Sequence, residues 1–229
     1  MTTTFNFQKS ENRGTSRKSI LTLLMIAMFT TLTFSQNLTQ KVRGTTKGTV
    51  PAYKFSASTT WLTFDNFGPE ETNIHMYEFH VGYKITHKDR IEIKVATWKL
   101  FEPMGIPFGD PLLQKESEWY PGKIRESGIG ITYQRLLWKG LFAQIEILPL
   151  KKTYLDENNE KIEDGFKLYT TYHIGYHVSL LKNRFYIEPQ VHCNYWPIDT
   201  KAPQGFKEKN DKWNNYFLFE PNIFFGVNF

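Results

Sequence analysis

The side chains in this sequence that are best suited to chemistry are a histidine and a serine two positions apart. His177 and Ser179 belong to a segment that alternates apolar and polar residues, so a strand would point both to one face, about 6.6 Å apart along it. A histidine that removes the serine proton makes the hydroxyl a nucleophile, and a carboxylate such as Glu146 or Glu188 would orient that histidine. The pattern is compatible with ester hydrolysis, although hydrogen-bonded polar residues on any strand would look the same.

Histidines are also metal ligands, and His173 and His192 are the pair best placed to bind an ion together. His173 and His177 are four positions apart, which on a strand separates them by about 13 Å. A third ligand beside His173 and His192 is not evident. Cys193 is the only cysteine, so an internal disulfide and a cysteine-based zinc site are excluded. We expect no metal and no cofactor.

The charge of the chain argues against a nucleic-acid partner. The formal net charge is +5, but four cations and one anion within residues 1–35 account for +3, which leaves +2 for the rest. This small excess is not the basic surface that a polyanion requires, and no glycine-rich phosphate loop is present. We expect no nucleic acid among the partners.

The first 35 residues have the features of a secretory signal peptide. Basic residues precede the apolar run 20–29, and the small Thr33 and Ser35 follow it, so we expect cleavage after Ser35. A run of ten residues is too short for a helix that crosses a hydrocarbon core of about 30 Å. We therefore divide the chain into a signal peptide at 1–35, a periplasmic lead-in at 36–54 and a folded domain at 55–229.

The folded domain shows the period of two that is typical of β-strands, and helical spacing fits it poorly. No apolar stretch of about 18 residues follows the signal, which excludes a helical membrane protein. The predicted strands are 55–64, 74–85, 90–101, 128–137, 141–150, 166–180, 184–196 and 216–229.

The connections between these strands alternate in length. The short ones fall at 87–89, 138–140 and 182–183, and the long ones fall at 66–73, 105–126, 156–165 and 199–212. Antiparallel strands joined in sequence order would put the short turns at one rim and the long loops at the other. Bacterial outer-membrane barrels have this arrangement, with the short turns in the periplasm.

Pairing the strands across the short turns predicts which residues are neighbours, because a slip of one residue would reverse the faces. The predicted neighbours are Lys84 and Glu92, Gly82 and Lys94, Gln134 and Gln144, Thr132 and Glu146, His177 and Glu188, and His173 and His192. Pro149, Pro189 and Pro221 fall within strands, and because proline lacks a backbone donor we expect bulges at Pro189 and Pro221.

The two faces of the predicted sheet differ in polarity. One is apolar, and the other carries a polar network made of Glu78, His80, Lys84, Glu92, Lys94, Gln134, Gln144, Glu146, His173, His192 and Glu220. A soluble ligand-binding barrel would enclose its apolar face, whereas a membrane barrel would enclose its polar face. Glycines on the polar face, and tyrosines and tryptophans near the strand ends, favour the membrane barrel.

The last strand carries the most specific feature of the sequence. Phe225, Val227 and Phe229 share one face, and the final residue is aromatic. This resembles the terminal strand of bacterial outer-membrane barrels, which the barrel-assembly machinery recognises. The rest of the domain resembles the small eight-stranded barrels of the OmpA and OmpX type in pattern and topology.

The resemblance implies an all-β fold, namely an eight-stranded antiparallel up-and-down transmembrane β-barrel in the cell outer membrane of a Gram-negative envelope. The partners it implies are outer-membrane lipid, lipopolysaccharide and the barrel-assembly machinery, while the ligand of the surface loops stays open. Eight strands enclose little more than side chains. We therefore expect a lumen closed by salt bridges such as Lys84–Glu92, a structural or surface-loop role, and no catalysis.

Two other functions fit the same sequence. Outer-membrane lipid A deacylases use a histidine–serine pair similar to His177 and Ser179, which with Glu188 would make the chain a lipid A-modifying hydrolase. The pair lies beside a short turn, however, whereas the acyl chains of lipid A lie in the outer leaflet. The second alternative is a soluble periplasmic lipocalin-like barrel that binds a ligand.

Overall fold

The computed structural model describes residues 53–67, 74–107 and 109–229, which are mostly antiparallel strands. The predicted signal peptide at 1–35 and most of the predicted lead-in at 36–54 lie outside the described residues. The elements are β1 (Phe55–Thr60), β2 (Tyr77–Lys84), β3 (Asp89–Leu100), β4 (Lys123–Trp138), β5 (Leu141–Leu155), β6 (Lys161–Tyr176), β7 (Val178–Leu180), β8 (Phe185–Thr200), the short helix α1 (Gln204–Asn210) and β9 (Tyr216–Asn228), with 3-10 turns at Trp61–Phe67 and Glu116–Glu118. In this described part of the chain, no helix has the length and apolar character needed to cross a membrane.

Eight of the strands form a closed ring. Each strand from β1 to β6 is hydrogen-bonded to the next, β6 pairs with β8, β8 pairs with β9, and β9 pairs with β1. The three-residue β7 continues the line of β6 and also pairs with β8. The expectation of eight antiparallel strands connected in sequence order is confirmed.

The ring has two different rims. The short-turn rim carries the connections 85–88, 139–140 and 181–184, and the long-loop rim carries the connections 61–76, 101–122, 156–160 and 201–215. The loops expected at 105–126, 156–165 and 199–212 are partly wrong, because β4, β6 and β8 are each 16 residues long and extend into them. Polar residues lie on both faces of these extensions, as Arg125 does outside and Glu126 inside β4, so the alternation of polarity is lost there.

The interior of the ring is polar and its exterior is apolar. Within β4, Thr132 is fully buried, whereas the adjacent Ile131 exposes 63% of its surface. Glu146 has no exposed surface, and Lys94 exposes only 5%. This is the orientation that the sequence favoured, and it is the reverse of the apolar interior that a soluble ligand-binding barrel needs.

Half of the six predicted cross-strand pairs appear in the register of the strands. The confirmed pairs are Gln134 with Gln144, Thr132 with Glu146, and His173 with His192. The bulge expected beside Pro221 is also confirmed, because the β8–β9 register changes between His192 and Cys193. Phe219, within that bulge, has a left-handed φ of 60°.

The β2–β3 hairpin differs from the prediction by two residues. Lys84 pairs with Arg90 rather than with Glu92, and Gly82 pairs with Glu92 rather than with Lys94. The cause is that the backbone N–H of Thr86 bonds to the carbonyl of Asp89 and closes the turn earlier. A shift of two residues leaves every side chain on its own face, so the alternation could not reveal it. The predicted Lys84–Glu92 salt bridge is wrong, and Lys84 lies half-buried near the short-turn rim.

The gap between β6 and β7 has its cause in one proline. β6 pairs with β8 as far as Gly175 and Gln190, and β7 resumes the pairing in the same register, so Pro189 lies opposite the gap. Proline has no N–H to donate to the facing strand, whereas on the β5 side the ladder continues, because the N–H of His177 bonds to the carbonyl of Gly140. The bulge expected at Pro189 is therefore wrong, since the ladder breaks there without a change of register.

Towards the long-loop rim the interior gains a layer of aromatic and aliphatic side chains. A cluster of buried side chains there, which we call the aromatic layer, consists of Ala96, Trp98, Leu148, Leu150, Tyr169 and Trp196. Beyond it lies the loop cap, in which Phe206 of α1 packs against Tyr120, Ile124 and Tyr154. The helix was not expected from the sequence, and it closes this end of the ring.

Candidate functional site

Seven titratable side chains inside the ring form one unbroken series of ion pairs. This lumen network consists of Glu146, Lys94, Glu78, His80, Glu92, Arg90 and Glu188, in the order in which they touch. Lys94 Nζ lies 2.8 Å from an oxygen of Glu146 and 3.2 Å from an oxygen of Glu78. His80 lies between Glu78, at 2.8 Å, and Glu92, at 3.2 Å.

Arg90 extends the network from β3 to β8, on the opposite wall of the ring. Its Nη2 donates to both oxygens of Glu188, at 2.8 and 3.0 Å, and its Nε lies 2.9 Å from Glu92. The guanidinium lies over the ring of Tyr186, 5.1 Å from its centre, and Gln134 donates a further bond to Glu188. Buried charges are costly unless they are paired and hydrogen-bonded, and this arrangement gives each of them a partner.

A second group of ion pairs lies among the residues of the aromatic layer. Lys167 Nζ is 2.5 Å from one oxygen of Glu126, and Trp98 Nε1 donates to the other at 2.9 Å. Lys152 bonds to Asp199 beside it. Each lysine therefore neutralises a carboxylate within the ring, and side chains fill the interior on this side as well.

The structure buries all but two of the predicted polar residues inside the ring. The buried ones are Glu78, His80, Glu92, Lys94, Gln134, Gln144, Glu146, His173 and His192, whereas Lys84 and Glu220 are half-buried. Sequence reasoning missed Arg90, Glu126, Lys152 and Lys167, which are all buried. Arg90 stands two positions before Glu92, so the same period of two could have found it.

The histidine pair inside the ring has no further ligand for a metal. The rings of His173 and His192 meet edge to face with their centres 4.2 Å apart. Across residues 53–67, 74–107 and 109–229, no three histidine, cysteine or acidic side chains come together in a way that would hold an ion. Cys193 is a free, half-buried thiol.

At the short-turn rim the lumen network ends in a hydrogen-bonded relay of Glu188, His177 and Ser179. His177 Nδ1 lies 2.7 Å from Glu188 Oε1, and its Nε2 lies 3.1 Å from Ser179 Oγ. The serine hydroxyl also donates to Asn183 Oδ1 at 2.8 Å. Ser179 is exposed, whereas Glu188 is buried. Of the two candidate carboxylates, Glu188 joins the relay and Glu146 does not.

The relay and the lumen network contain the nucleophilic and titratable side chains described above. No protein-family model, curated protein or solved structure matches this chain. The function is therefore inferred from the geometry of the ring and from its surfaces.

Three cations form a basic row on the outer surface near the long-loop rim. They are Lys99, Lys123 and Arg125, and Lys99 pairs with Arg125 across β3 and β4. In β6 nearby, a hydrogen bond from Lys161 is the main cause that lowers the pKa of Asp164 to about 2.

The residues of the predicted assembly signal lie at the seam between β1 and β9. Phe55 and Phe229 exchange two backbone hydrogen bonds, of 3.0 and 2.9 Å, and their rings stack with centres 6.1 Å apart. Phe225, Val227 and Phe229 all point outward and are exposed. The seam that closes the ring therefore displays the apolar face of the last strand.

Hydrogen bonds hold the loop cap to the long loops. The Tyr120 hydroxyl donates to Asn210 Oδ1 at 2.6 Å, and Trp213 Nε1 donates to Glu118 at 3.2 Å. Burial raises the pKa of Tyr120 well above its usual range. The long loops 101–122 and 201–215 thus bond to each other at the end of the ring.

Proposed function

We propose that this chain is an integral β-barrel of the bacterial outer membrane with a side-chain-filled lumen. The observation that carries the proposal is a closed ring whose charged side chains are inside and whose apolar side chains are outside. A closed ring has no free strand edge, so its backbone hydrogen bonds are satisfied within hydrocarbon. In water, the same exterior would be an exposed apolar patch of the kind that soluble monomers avoid.

An apolar belt encircles the outside of the ring. It includes Ile91, Ile93 and Val95 of β3, and Ile129 and Ile131 of β4, with exposures between 41% and 64%. Its other members include Phe79, Val81, Ile145, Ile147, Ile174 and Phe225. β3 is 12 residues long, and a tilted strand needs about 9–11 residues to cross a bilayer. The ring is therefore tall enough to span hydrocarbon.

Tyrosines lie at both borders of this belt. Tyr83, Tyr133 and Tyr172 belong to one row near the short turns, whereas Tyr77, Tyr195 and Tyr216 lie towards the long loops. All six are exposed. Such aromatic girdles are typical of the two interfaces of a membrane barrel.

The basic row supports a particular orientation in the membrane. Lys99, Lys123 and Arg125 follow the belt on the side of the long loops. If the short turns face the periplasm, these cations lie at the depth of the lipopolysaccharide phosphates and attract them. Outer-membrane lipid and lipopolysaccharide are therefore the proposed partners of the outer surface.

The filled interior supports a scaffold rather than a channel. The lumen network, the aromatic layer and the loop cap occupy successive levels of the ring, and eight strands leave little room beyond side chains. We assign the lumen network a structural role, since its charges bind one another. The long loops remain as the surface for a partner, and the last strand with Phe229 as the signal for the barrel-assembly machinery.

Fractionation of cells that produce the full chain tests this proposal. We expect the protein in the outer-membrane fraction after a carbonate wash, and a shift on gels between unheated and boiled samples. Protease added to intact cells should cleave within 101–122 or 201–215 and spare 85–88. Recovery of the folded protein in the periplasm without detergent would contradict the membrane placement, and cleavage at 85–88 alone would reverse the orientation.

A further inference from the structure

We infer that Ser179, His177 and Glu188 form a nucleophilic site that hydrolyses carboxylic esters at the short-turn rim. The three side chains are joined by the 2.7 Å and 3.1 Å contacts of the relay. A buried carboxylate, a histidine bonded to it through one ring nitrogen, and a serine within reach of the other nitrogen are the geometry of an activated serine. This inference goes beyond the scaffold role. The nucleophile does not depend on the membrane placement, whereas the exclusion of lipid A as a substrate rests on the proposed orientation.

The surroundings of the relay fit the role of each member. Arg90 donates twice to Glu188, which keeps this carboxylate fixed and charged, and His177 Nδ1–H donates to Oε1 of the same group. The Nε2 atom of His177 is then left as an acceptor aimed at Ser179. Rotation of the serine hydroxyl from Asn183 towards Nε2 delivers its proton to the imidazole.

The local fold explains why these residues meet. Pro189 interrupts the ladder between β6 and β8, so His177 lies outside regular pairing while its backbone N–H bonds to Gly140. Ser179 lies on the same side of β7 two residues later, where the ring opens to solvent. The relay is thus anchored by the interior of the ring at one end and exposed at the other.

The reaction balances with water as the only co-reactant. Ser179 Oγ attacks the carbonyl carbon while His177 Nε2 takes the hydroxyl proton, and the tetrahedral intermediate expels the alcohol, which receives that proton. Water then attacks the acyl-serine with His177 as the base, and the acid leaves as Ser179 regains its proton. One ester and one water thus give one acid and one alcohol. The side-chain amide of Asn183, 2.8 Å from Oγ, lies close enough to donate to the developing oxyanion once its nitrogen faces the site.

The position of the site indicates which esters reach it. Ser179 is exposed at the short-turn rim, where Leu181 is 75% exposed in the adjoining turn and Phe185, 41% exposed, begins β8 on the outer face. Apolar side chains therefore lie at this rim, which favours an ester with an acyl chain presented at the short-turn side. With that side in the periplasm, lipid A in the opposite leaflet is out of reach. A glycerophospholipid and a soluble acyl ester share the chemistry, and the experiment separates them.

A fluorophosphonate probe tests the nucleophile without knowledge of the substrate. The full chain in detergent micelles, checked for folding by its heat-dependent gel shift, is treated with the probe, and the labelled residue is found by mass spectrometry. We expect one label on Ser179, no label in Ser179→Ala, and full labelling in the control Ser127→Ala, whose serine lies on the outside of β4. His177→Gln should slow labelling by about 100-fold or more, because the general base is lost.

Two substrates then identify the source of the ester. p-Nitrophenyl butyrate represents soluble esters, and dioleoylphosphatidylglycerol in mixed micelles represents the lipid. The inference is supported if either substrate is hydrolysed, and if this hydrolysis is lost in Ser179→Ala and kept in Ser127→Ala. The substrate that is hydrolysed then shows whether the ester comes from a soluble compound or from a lipid. A folded protein that is neither labelled nor active between about pH 6 and 9 overturns it, and so does equal labelling of Ser179→Ala. Such failure would leave the membrane barrel intact, since fractionation tests that separately.

Discussion

Arg90 and Glu188 meet across the full width of the ring, with a guanidinium nitrogen 2.8 Å from a carboxylate oxygen. Their strands β3 and β8 are four strands apart in either direction around the eight-stranded ring. The two side chains therefore bridge opposite walls. This contact closes the lumen near the short-turn rim and links the interior ion pairs to the relay at the surface.

Loss of Arg90 should destabilise the ring strongly. Arg90→Met leaves Glu188 and Glu92 as buried carboxylates without their main cation, which typically costs about 3–5 kcal/mol. The measurement is the urea midpoint of the heat-dependent gel shift. The matched control is Arg135→Met, because Arg135 forms an exposed ion pair with Asp89, and its midpoint should stay unchanged. Equal midpoints for both variants would show that the buried ion pair stabilises the ring no more than the exposed one.

Lys94 should couple energetically to Glu146. Lys94→Met leaves Glu78 and Glu146 unneutralised inside the ring, and Glu146→Gln should then restore part of the lost stability. A double-mutant cycle should give a coupling of roughly 0.5–3 kcal/mol, as for residues in one network. As a control, Glu126→Gln should be additive with Lys94→Met, because Glu126 binds Lys167 in a different layer. No coupling between Lys94 and Glu146 would contradict the lumen network.

A charge placed on the apolar belt should be tolerated poorly. Ile131→Arg puts a cation at the middle of the belt, where barrels lose about 2–4 kcal/mol. Ile162→Arg serves as the control, since Ile162 is also exposed, at 49%, but lies in the extension of β6 beyond the belt. We expect the first variant to fold inefficiently into lipid vesicles and the second to fold like the original. Comparable yields would argue that this face does not meet hydrocarbon.

The basic row should bind anionic lipid. Replacement of Lys99, Lys123 and Arg125 by glutamine removes about 1 kcal/mol of attraction per cation, or roughly a fivefold loss of affinity for each. Native mass spectrometry in micelles that contain lipopolysaccharide measures the retained lipid. The control replaces Lys88, Lys139 and Lys182 at the short-turn rim, which changes the net charge equally. Equal loss in both triple variants would indicate a general charge effect and no site.

The loop cap should open without loss of the ring. Phe206 is 1% exposed, and its ring lies about 5 Å from those of Tyr120 and Tyr154, so Phe206→Ala removes the apolar contact that holds α1. We expect faster proteolysis within 201–215 and an unchanged heat-dependent gel shift. Gln204→Ala, at the start of the same helix, should be cut as slowly as the original. Unfolding of the whole ring in Phe206→Ala would mean that the cap is part of the barrel's core.

The ring and its orientation could be predicted because they follow from a period of two. Ile131 and Thr132 illustrate this, since adjacent residues on a strand must face opposite sides and only one of them tolerates hydrocarbon. The tight turn at Lys139 and Gly140, both with positive φ, fixed one register. The turn before Asp89 could not be located, because a shift of two residues changes no face.

The parts that escaped prediction depend on contacts between distant segments. The Arg90–Glu188 bridge joins residues 98 positions apart, and no local pattern specifies that contact. α1 forms where Phe206 finds Tyr120 and Tyr154 of other segments. The members of the relay were predictable, because the sequence offered His177 and Ser179 and paired His177 with Glu188 across a short turn. The bonds from Arg90 that hold Glu188 required the closed ring.

The most direct test of the account is the environment of one outward residue of the belt. A spin label is attached to a cysteine at position 131 or 162 in a Cys193→Ser background, after folding into lipid vesicles. We predict that the label at 131 collides with oxygen and is shielded from a water-soluble nickel complex, whereas the label at 162 shows the reverse. If the label at 131 is as open to the nickel complex as the label at 162, this face of the ring meets water, and the membrane barrel is wrong.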